Sequence, residues 1–201
     1  MDLTILFSPI DESVYADITS NTSFFKSIRI FGDKMPDYRE AHIAIFGVKE
    51  ERGNLENVGA AQASDEIRKK LYNLKRGSGA YKIVDLGNLN IGHDLNETYT
   101  RVSEVSRILL ESNVLPVIIG GTHDIDYGQY CAYETLEKLV SFLNVDAFLD
   151  LEDQERTPEN RKHIHKILLH EPNFLFSYTH LAYQSYLIDP LSVSVLEKLY
   201  F

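Results

Sequence analysis

One imidazole and two carboxylates stand just beyond two apolar runs. Val114-Leu115-Pro116-Val117-Ile118-Ile119 leads into Gly120-Gly121-Thr122-His123-Asp124. Twenty-three residues after His123, the run Leu139 to Val145 leads into Asp146-Ala147-Phe148-Leu149-Asp150. Read as buried strands ending in turns, the two segments deliver His123, Asp146 and Asp150 to one edge of an open α/β sheet, where such folds place their ligands. Imidazole and carboxylate together suit Mn²⁺, Zn²⁺ or Fe²⁺. Two such ions ~3.5–4 Å apart lower the pKa of a bound water enough for attack on a poor electrophile, such as an amidine carbon. In an extended strand residues i, i+2 and i+4 share a face, so Asp146, Phe148 and Asp150 are expected to point the same way. The competing role is local: aspartate and histidine at strand ends cap the next helix and satisfy loop amides.

The elements that must position these residues follow from apolar periodicity. Ala41 to Gly47 reads as a buried strand, and residues 48–60 as a long polar loop carrying Gly53 and Gly59. Ala61 to Leu74 reads as a helix with Ile67 and Leu71 on its inner face. Tyr81 to Asp85 is the next strand, closed by Leu86-Gly87-Asn88. A helix over 97–111 follows, with Tyr99, Val102, Val105, Leu109 and Leu110 inward. The strand 114–119 precedes a helix over 126–138, and 139–145 is apolar enough to be covered on both faces. A helix over 160–169, strands over 174–177 and 184–188 and a helix over 191–201 complete the chain. This alternation predicts a three-layer, doubly wound α/β fold, its mainly parallel sheet flanked by helices on both faces. Residues 1–40 lack such regularity and are expected to be an N-terminal extension packed on a single domain, 41–201.

Composition narrows the function. A net charge of −10 with no basic patch argues against nucleic acid and anionic membrane partners, and no apolar run reaches the ~18 residues of a membrane span. The densest basic run, Arg68-Lys69-Lys70, reads as a solvated helix face. A lone cysteine, Cys131, builds neither a disulfide nor a thiolate metal site, and the N-terminus has no signal-peptide pattern; both fit the cytoplasm. The loop at 53–60 lacks dinucleotide and P-loop spacings, and no Gly-x-Ser-x-Gly elbow occurs. His163, His165 and His170 fall on or near one predicted helix with no acidic partner placed beside them and read as surface or core residues. His42, His93 and His180 carry no signal.

Taken in order, these segments resemble the ureohydrolase superfamily of arginase, agmatinase and formimidoylglutamase. Gly47-Val48, the Gly53–Ala60 loop and Ile67-Arg68 look like its early glycine loop and helix, and Asp85-Leu86-Gly87-Asn88 like its second strand end. Gly120-Gly121-Thr122-His123-Asp124 resembles the Gly-Gly-x-His motif, and Asp146 to Asp150 the Asp-Ala-His-x-Asp motif. The resemblance implies an arginase-like fold, Mn²⁺ as cofactor, a small guanidino or formimino substrate and a homo-oligomer. His123 would bind one manganese, and Asp146 and Asp150 would bind or bridge the pair.

Two departures matter. Phe148 stands where the family has a ligand histidine, and the third motif, Ser-x-Asp-x-Asp-x-x-Asp-Pro, is missing; Ile188-Asp189-Pro190 matches only its last letters. The family continues by about a hundred residues beyond this chain's length, which reads as a C-terminally incomplete member of a divergent formimidoylglutamase-like branch. The expectation is a degraded metal centre with amidine C–N hydrolysis weak or lost. The alternatives are an active manganese hydrolase, a binding or assembly pseudoenzyme, and a mononuclear site of different hydrolytic chemistry.

Overall fold

A computed structural model describes residues 3–152 and 154–198. Its central strand is β3 (Ile43–Val48), buried along nearly its whole length. β3 runs parallel to β4 (Ile83–Leu89) on one side and to β5 (Leu115–Ile119) on the other. Two short segments from the first forty residues add to the far edge of β4: β1 (Phe7–Ser8) antiparallel and β2 (Arg29–Ile30) parallel. The strand predicted to close at Asp85 therefore continues to Leu89. It passes through Gly87, whose φ of +82° brings it so close to β1 that a Cβ would sit 2.3 Å from the Ser8 carbonyl oxygen. The β3–β4 register shifts at that point, between Ile45 and Gly47.

The period-2 alternation of β3 assigns its faces. Ala44, Phe46 and Val48 join a core with Val102, Val105 and Leu109 of α2 (Leu95–Glu111), the inward residues that helical spacing predicted. Gly47 points the other way, under α1 (Ala63–Leu71), where a Cβ would meet Ser64 and Arg68 at 2.8 and 3.0 Å. Helices therefore lie on both faces of the sheet. α1 corrects the sequence reading: Ile67 is 41% exposed, while Arg68 is fully buried instead of forming a solvated face. The physical reason is its partner. Arg68 forms a bidentate pair with the buried Asp85 (Nε–Oδ2 2.9 Å, Nη2–Oδ1 2.8 Å), and Tyr72 donates to the same carboxylate at 2.8 Å. A buried charge is tolerated only when paired and hydrogen-bonded in this way.

β6 (Val140–Val145) and β7 (Leu175–Leu181) form a separate parallel pair. Phe142 packs into a second core with Leu149, Ile164, Leu168 and Tyr178, but Leu143 and Val145 are more than 60% exposed. The predicted cover on both faces is thus half realised among the described residues: the Phe142 face packs into this core, and the face of Leu143 and Val145 is left exposed. α3 (Ile125–Thr135) packs on α2, with Gly128 against the Tyr99 backbone at a distance only a missing Cβ permits. α4 (His163–Leu168) covers the second core, and α5 (Pro190–Lys198) closes the described chain. The predicted strand over 184–188 is instead a single 3-10 turn, Ser185–Leu187. The last three residues of the predicted helix 191–201 lie outside the described residues. No helix among the described residues is long and apolar enough to cross a membrane.

Candidate metal centre

The turn after β5 is built from two glycines in the left-handed region, Gly120 at φ +79° and Gly121 at φ +84°. A Cβ on Gly120 would sit 2.6 Å from the Ser64 amide nitrogen at the start of α1, and one on Gly121 would sit 2.9 Å from the Val48 carbonyl oxygen. Glycine is required twice over, by conformation and by space. The 48–60 loop clamps the same turn: Thr122 N–H donates to the Glu50 carbonyl (3.1 Å) and Gly121 N–H to that of Ala60 (3.4 Å). Glu50 is itself fully buried, and burial would raise its carboxyl pKa. The Arg52 guanidinium (2.5 and 2.8 Å) and the Thr98 hydroxyl (3.0 Å) outweigh that and hold it below the usual carboxylate range. The long loop is therefore structural at its root.

His123 emerges from this turn with its side chain 56% exposed. Its Nδ1 lies 3.1 Å from Asp146 Oδ2 and 3.5 Å from Asp150 Oδ2. Hydrogen bonding to Asp150 and the charge of Asp146 outweigh burial and push the imidazole pKa up. The three residues singled out in the sequence thus converge, each offering a donor atom within 4.8 Å of the others. They do not converge by strand alternation. β6 stops at Val145, and Asp146 turns the chain at once, its Oδ1 accepting the Phe148 N–H at 2.9 Å. Asp150 then adopts φ +52°, and its carbonyl accepts the His165 N–H at 3.4 Å. The turn re-aims Asp150 at His123, which an extended strand would not do. His180 of β7 supports it by donating from Nε2 to the Asp146 carbonyl at 2.9 Å.

Helix capping does not explain these residues. Asp124 precedes α3 without a side-chain cap bond; its Oδ2 accepts the Tyr99 hydroxyl at 2.6 Å instead, and burial together with that carboxylate pushes the phenol upward. Gly53 comes so close to Asp124 that a Cβ would sit 2.0 Å from its Oδ1. Asp189, the partial match to the third motif, is spent on the Leu191 N–H at the start of α5.

Sequence reasoning missed three paired groups. His163 is buried, donates from Nδ1 to the Asn160 carbonyl (2.9 Å), and stands 3.8 Å from Asp150 and 3.9 Å from Asp126. His170 Nε2 meets Glu134 Oε2 at 2.8 Å. Their acidic partners come from α3 and the β6 turn, so no local pattern announced them. Arg161 is the third: its guanidinium carbon lies 3.4 Å from the centre of the Phe148 ring, and Nη1 lies 3.7 Å from Asp150 Oδ1. Cys131 is half-buried, and burial pushes its thiol up, away from nucleophilic use.

The donor set fits one divalent ion. Opposite donors around a single ion at ~2.1 Å bond lengths are roughly 4.2 Å apart, close to the spread of the triad. It does not fit two. Phe148 has no donor, and no other group of three His, Cys, Asp or Glu donors forms among the described residues. Beyond the triad lies a cavity of about 390 Å³ lined by Phe148, Asp150, Arg161, His165 and Ser192.

Comparison with known proteins gives this geometry a lineage. Residues 41–192 match the model of the arginase family. Formimidoylglutamase of Corynebacterium efficiens is 30% identical over 125 residues, 60% of this chain and 40% of the relative. That of Lysinibacillus sphaericus is 27% identical over 172 residues, 78% of this chain and 52% of the relative. The chain thus spans about half the length of the curated relatives it matches. Among solved structures, Bacillus subtilis formimidoylglutamase superposes with a TM-score of 0.73 at 17% identity, over 93% of this chain and 63% of the other. A Trypanosoma cruzi formiminoglutamase with Mn²⁺ gives 0.69 at 19% identity, over 84% and 60%. With an arginase-like α/β fold and the match extending over most of its length, this chain belongs to the arginase family.

Proposed function

We propose that this chain is a formimidoylglutamase-like ureohydrolase module whose centre holds one divalent cation, Mn²⁺, and in which hydrolysis of a formimino or guanidino C–N bond is weak or lost. The observation that carries the reading is Phe148. It occupies the middle of the Asp146–Asp150 turn, and its ring is covered by the Arg161 guanidinium, so no donor faces a second ion there. His123, Asp146 and Asp150 would hold the single ion. Bound there, manganese would act as a Lewis acid toward an amidine or the water that attacks it. The chain's own residues orient and screen. Asp146 and Asp150 fix the His123 ring, His163 and Arg161 flank Asp150, and the neighbouring cavity has room for a small substrate. The lone, half-buried Cys131 suits a reducing compartment such as the cytoplasm. In this reading residues 41–201 form the catalytic-type domain and residues 1–40 an extension packed on it.

The test is metal stoichiometry with turnover. The full chain is loaded with Mn²⁺, stripped of free metal by gel filtration and analysed for bound manganese, beside the H123A variant. Ammonia, formamide and urea release are then assayed with formiminoglutamate, agmatine and arginine. One ion per chain, absent from H123A, with turnover at or near background is the expected result. Two ions per chain with sustained turnover would overturn the reading, and no retained ion would overturn its metal part.

A further inference from the structure

Asp150 faces two cation positions at once. Oδ2 is directed at His123 and the metal triad (3.5 Å), and Oδ1 at the Arg161 guanidinium (3.7 Å). The carboxylate is almost completely buried, with 2% of its side chain exposed, so its charge needs a fixed partner on each side. In a two-ion centre a shared carboxylate meets a metal at each oxygen. Here the position on the Oδ1 side carries a guanidinium.

Several features fix Arg161 in that place. It ends the 3-10 turn Glu159–Arg161, and its carbonyl accepts the Glu152 N–H at 3.1 Å, tying it to the loop that leaves Asp150. Its guanidinium carbon stands over the Phe148 ring, 3.4 Å from the ring centre, a cation–π contact that suits an arginine better than a lysine. Among the described residues that guanidinium donates no hydrogen bond within range, and its ion pair is the one with Asp150 at 3.7 Å. The nearby lysines are committed elsewhere: Lys162 and Lys166 both pair with Glu159. Phe148 and Arg161 thus act together. The ring removes a metal donor and also seats a positive charge beside Asp150.

We propose that Arg161, stacked on Phe148, is a built-in cation that takes the place of a second metal ion and confines the centre to one. This rests on the one-ion reading above, yet it concerns Arg161 and not the triad. Charge repulsion sets the sign. The guanidinium competes with an ion at the triad for the same carboxylate, so its removal strengthens metal binding. A residue that merely held Asp150 in position would do the opposite.

The experiment compares the full chain with R161K, R161M and the double variant F148H/R161M. Free Mn²⁺ is titrated and followed by its electron paramagnetic resonance signal, and melting is measured in EDTA and in Mn²⁺. R161M keeps an apolar stem on Phe148 without the charge, and R161K keeps a charge. We expect R161M to bind Mn²⁺ roughly 10-fold more tightly than wild type, the effect of removing one like charge at short range. R161K should stay near wild type, and F148H/R161M should take up a second ion. In EDTA, R161M should melt several degrees lower, with R161K recovering most of the loss. Equal or weaker manganese binding by R161M would overturn the proposal. If no variant binds manganese, the one-ion reading fails, and the EDTA melts decide this proposal alone: R161M equal to wild type refutes it, and loss in R161M with recovery in R161K sustains it.

Discussion

Replacing Gly120 by alanine tests how the turn that carries His123 is held. Two costs apply at this position. One is the left-handed backbone, φ +79°, which disfavours any Cβ by roughly 1–2 kcal/mol. The other is steric, because the new Cβ would lie 2.6 Å from the Ser64 amide nitrogen and 3.0 Å from Ser64 Cα, backbone atoms at the head of α1 that cannot swing aside. Gly59 supplies the control. It has φ +101°, but nothing lies within 4 Å of its Cβ position. Gly59→Ala carries the backbone cost alone, and both substitutions restrict the unfolded chain equally, so the difference between the two isolates the clash. Overpacking of this kind costs about 1–3 kcal/mol. For a chain of this size that corresponds to a melting difference of roughly 2–12 °C at ~2–4 °C per kcal/mol. Urea denaturation and thermal melts in EDTA measure it without metal linkage. Mn²⁺ titration of the Gly120→Ala protein should also show weakened binding, since His123 follows three residues later. If Gly120→Ala and Gly59→Ala destabilise equally, the close seating of the turn on α1 is wrong.

Two further outcomes follow from the same structure. Arg68→Met leaves the Asp85 carboxylate buried with one hydroxyl and one amide partner, and should cost about 3–5 kcal/mol in urea denaturation. The double variant R68M/D85L should recover much of this, and a double variant as damaged as the sum of its singles would show that the pair is not coupled. Without metal, His123 has a raised pKa in the fold, so its pairing stabilises the chain fully below the unfolded value of about 6.5 and fades as pH rises through the higher folded value. Manganese needs the neutral ring, so its affinity should rise over that same window. Mn²⁺ titrations and EDTA melts from about pH 5 to pH 9 should therefore slope in opposite directions, and Asp150→Asn should flatten the melts. Parallel slopes would sink the assignment of His123 to both roles.

How much of this was legible beforehand varies by element. The strands at 43–48 and 115–119 follow from continuous apolar runs and the helix at 95–111 from its 3.6-residue apolar period, because the strands lie within the sheet and the helix buries one face on it. The strand at 83–89 ran past its predicted end, since Gly87 marks a close approach of β1 and not a stop. Arg68 shows the limit of local reading. A cationic residue beside two lysines looks solvated until Asp85, seventeen residues away, is brought beneath it. The segment 184–188 has strand-like composition but no partner strand among the described residues, and it forms a turn.

At the centre itself the division is sharp. His123, Asp146 and Asp150 could be named from sequence because glycine turns and strand ends announce where side chains are delivered, and the absence of a donor at 148 was equally plain. Their convergence within 4.8 Å depended on a turn at Asp146 and a left-handed Asp150, which no periodicity encodes. Arg161 was invisible for the same kind of reason. It lies at the head of the helix predicted over 160–169, in a 3-10 turn eleven residues after Asp150, and only packing against Phe148 gives it a role. Residue identity limits which donors can exist. Long-range packing decides which cation each of them faces.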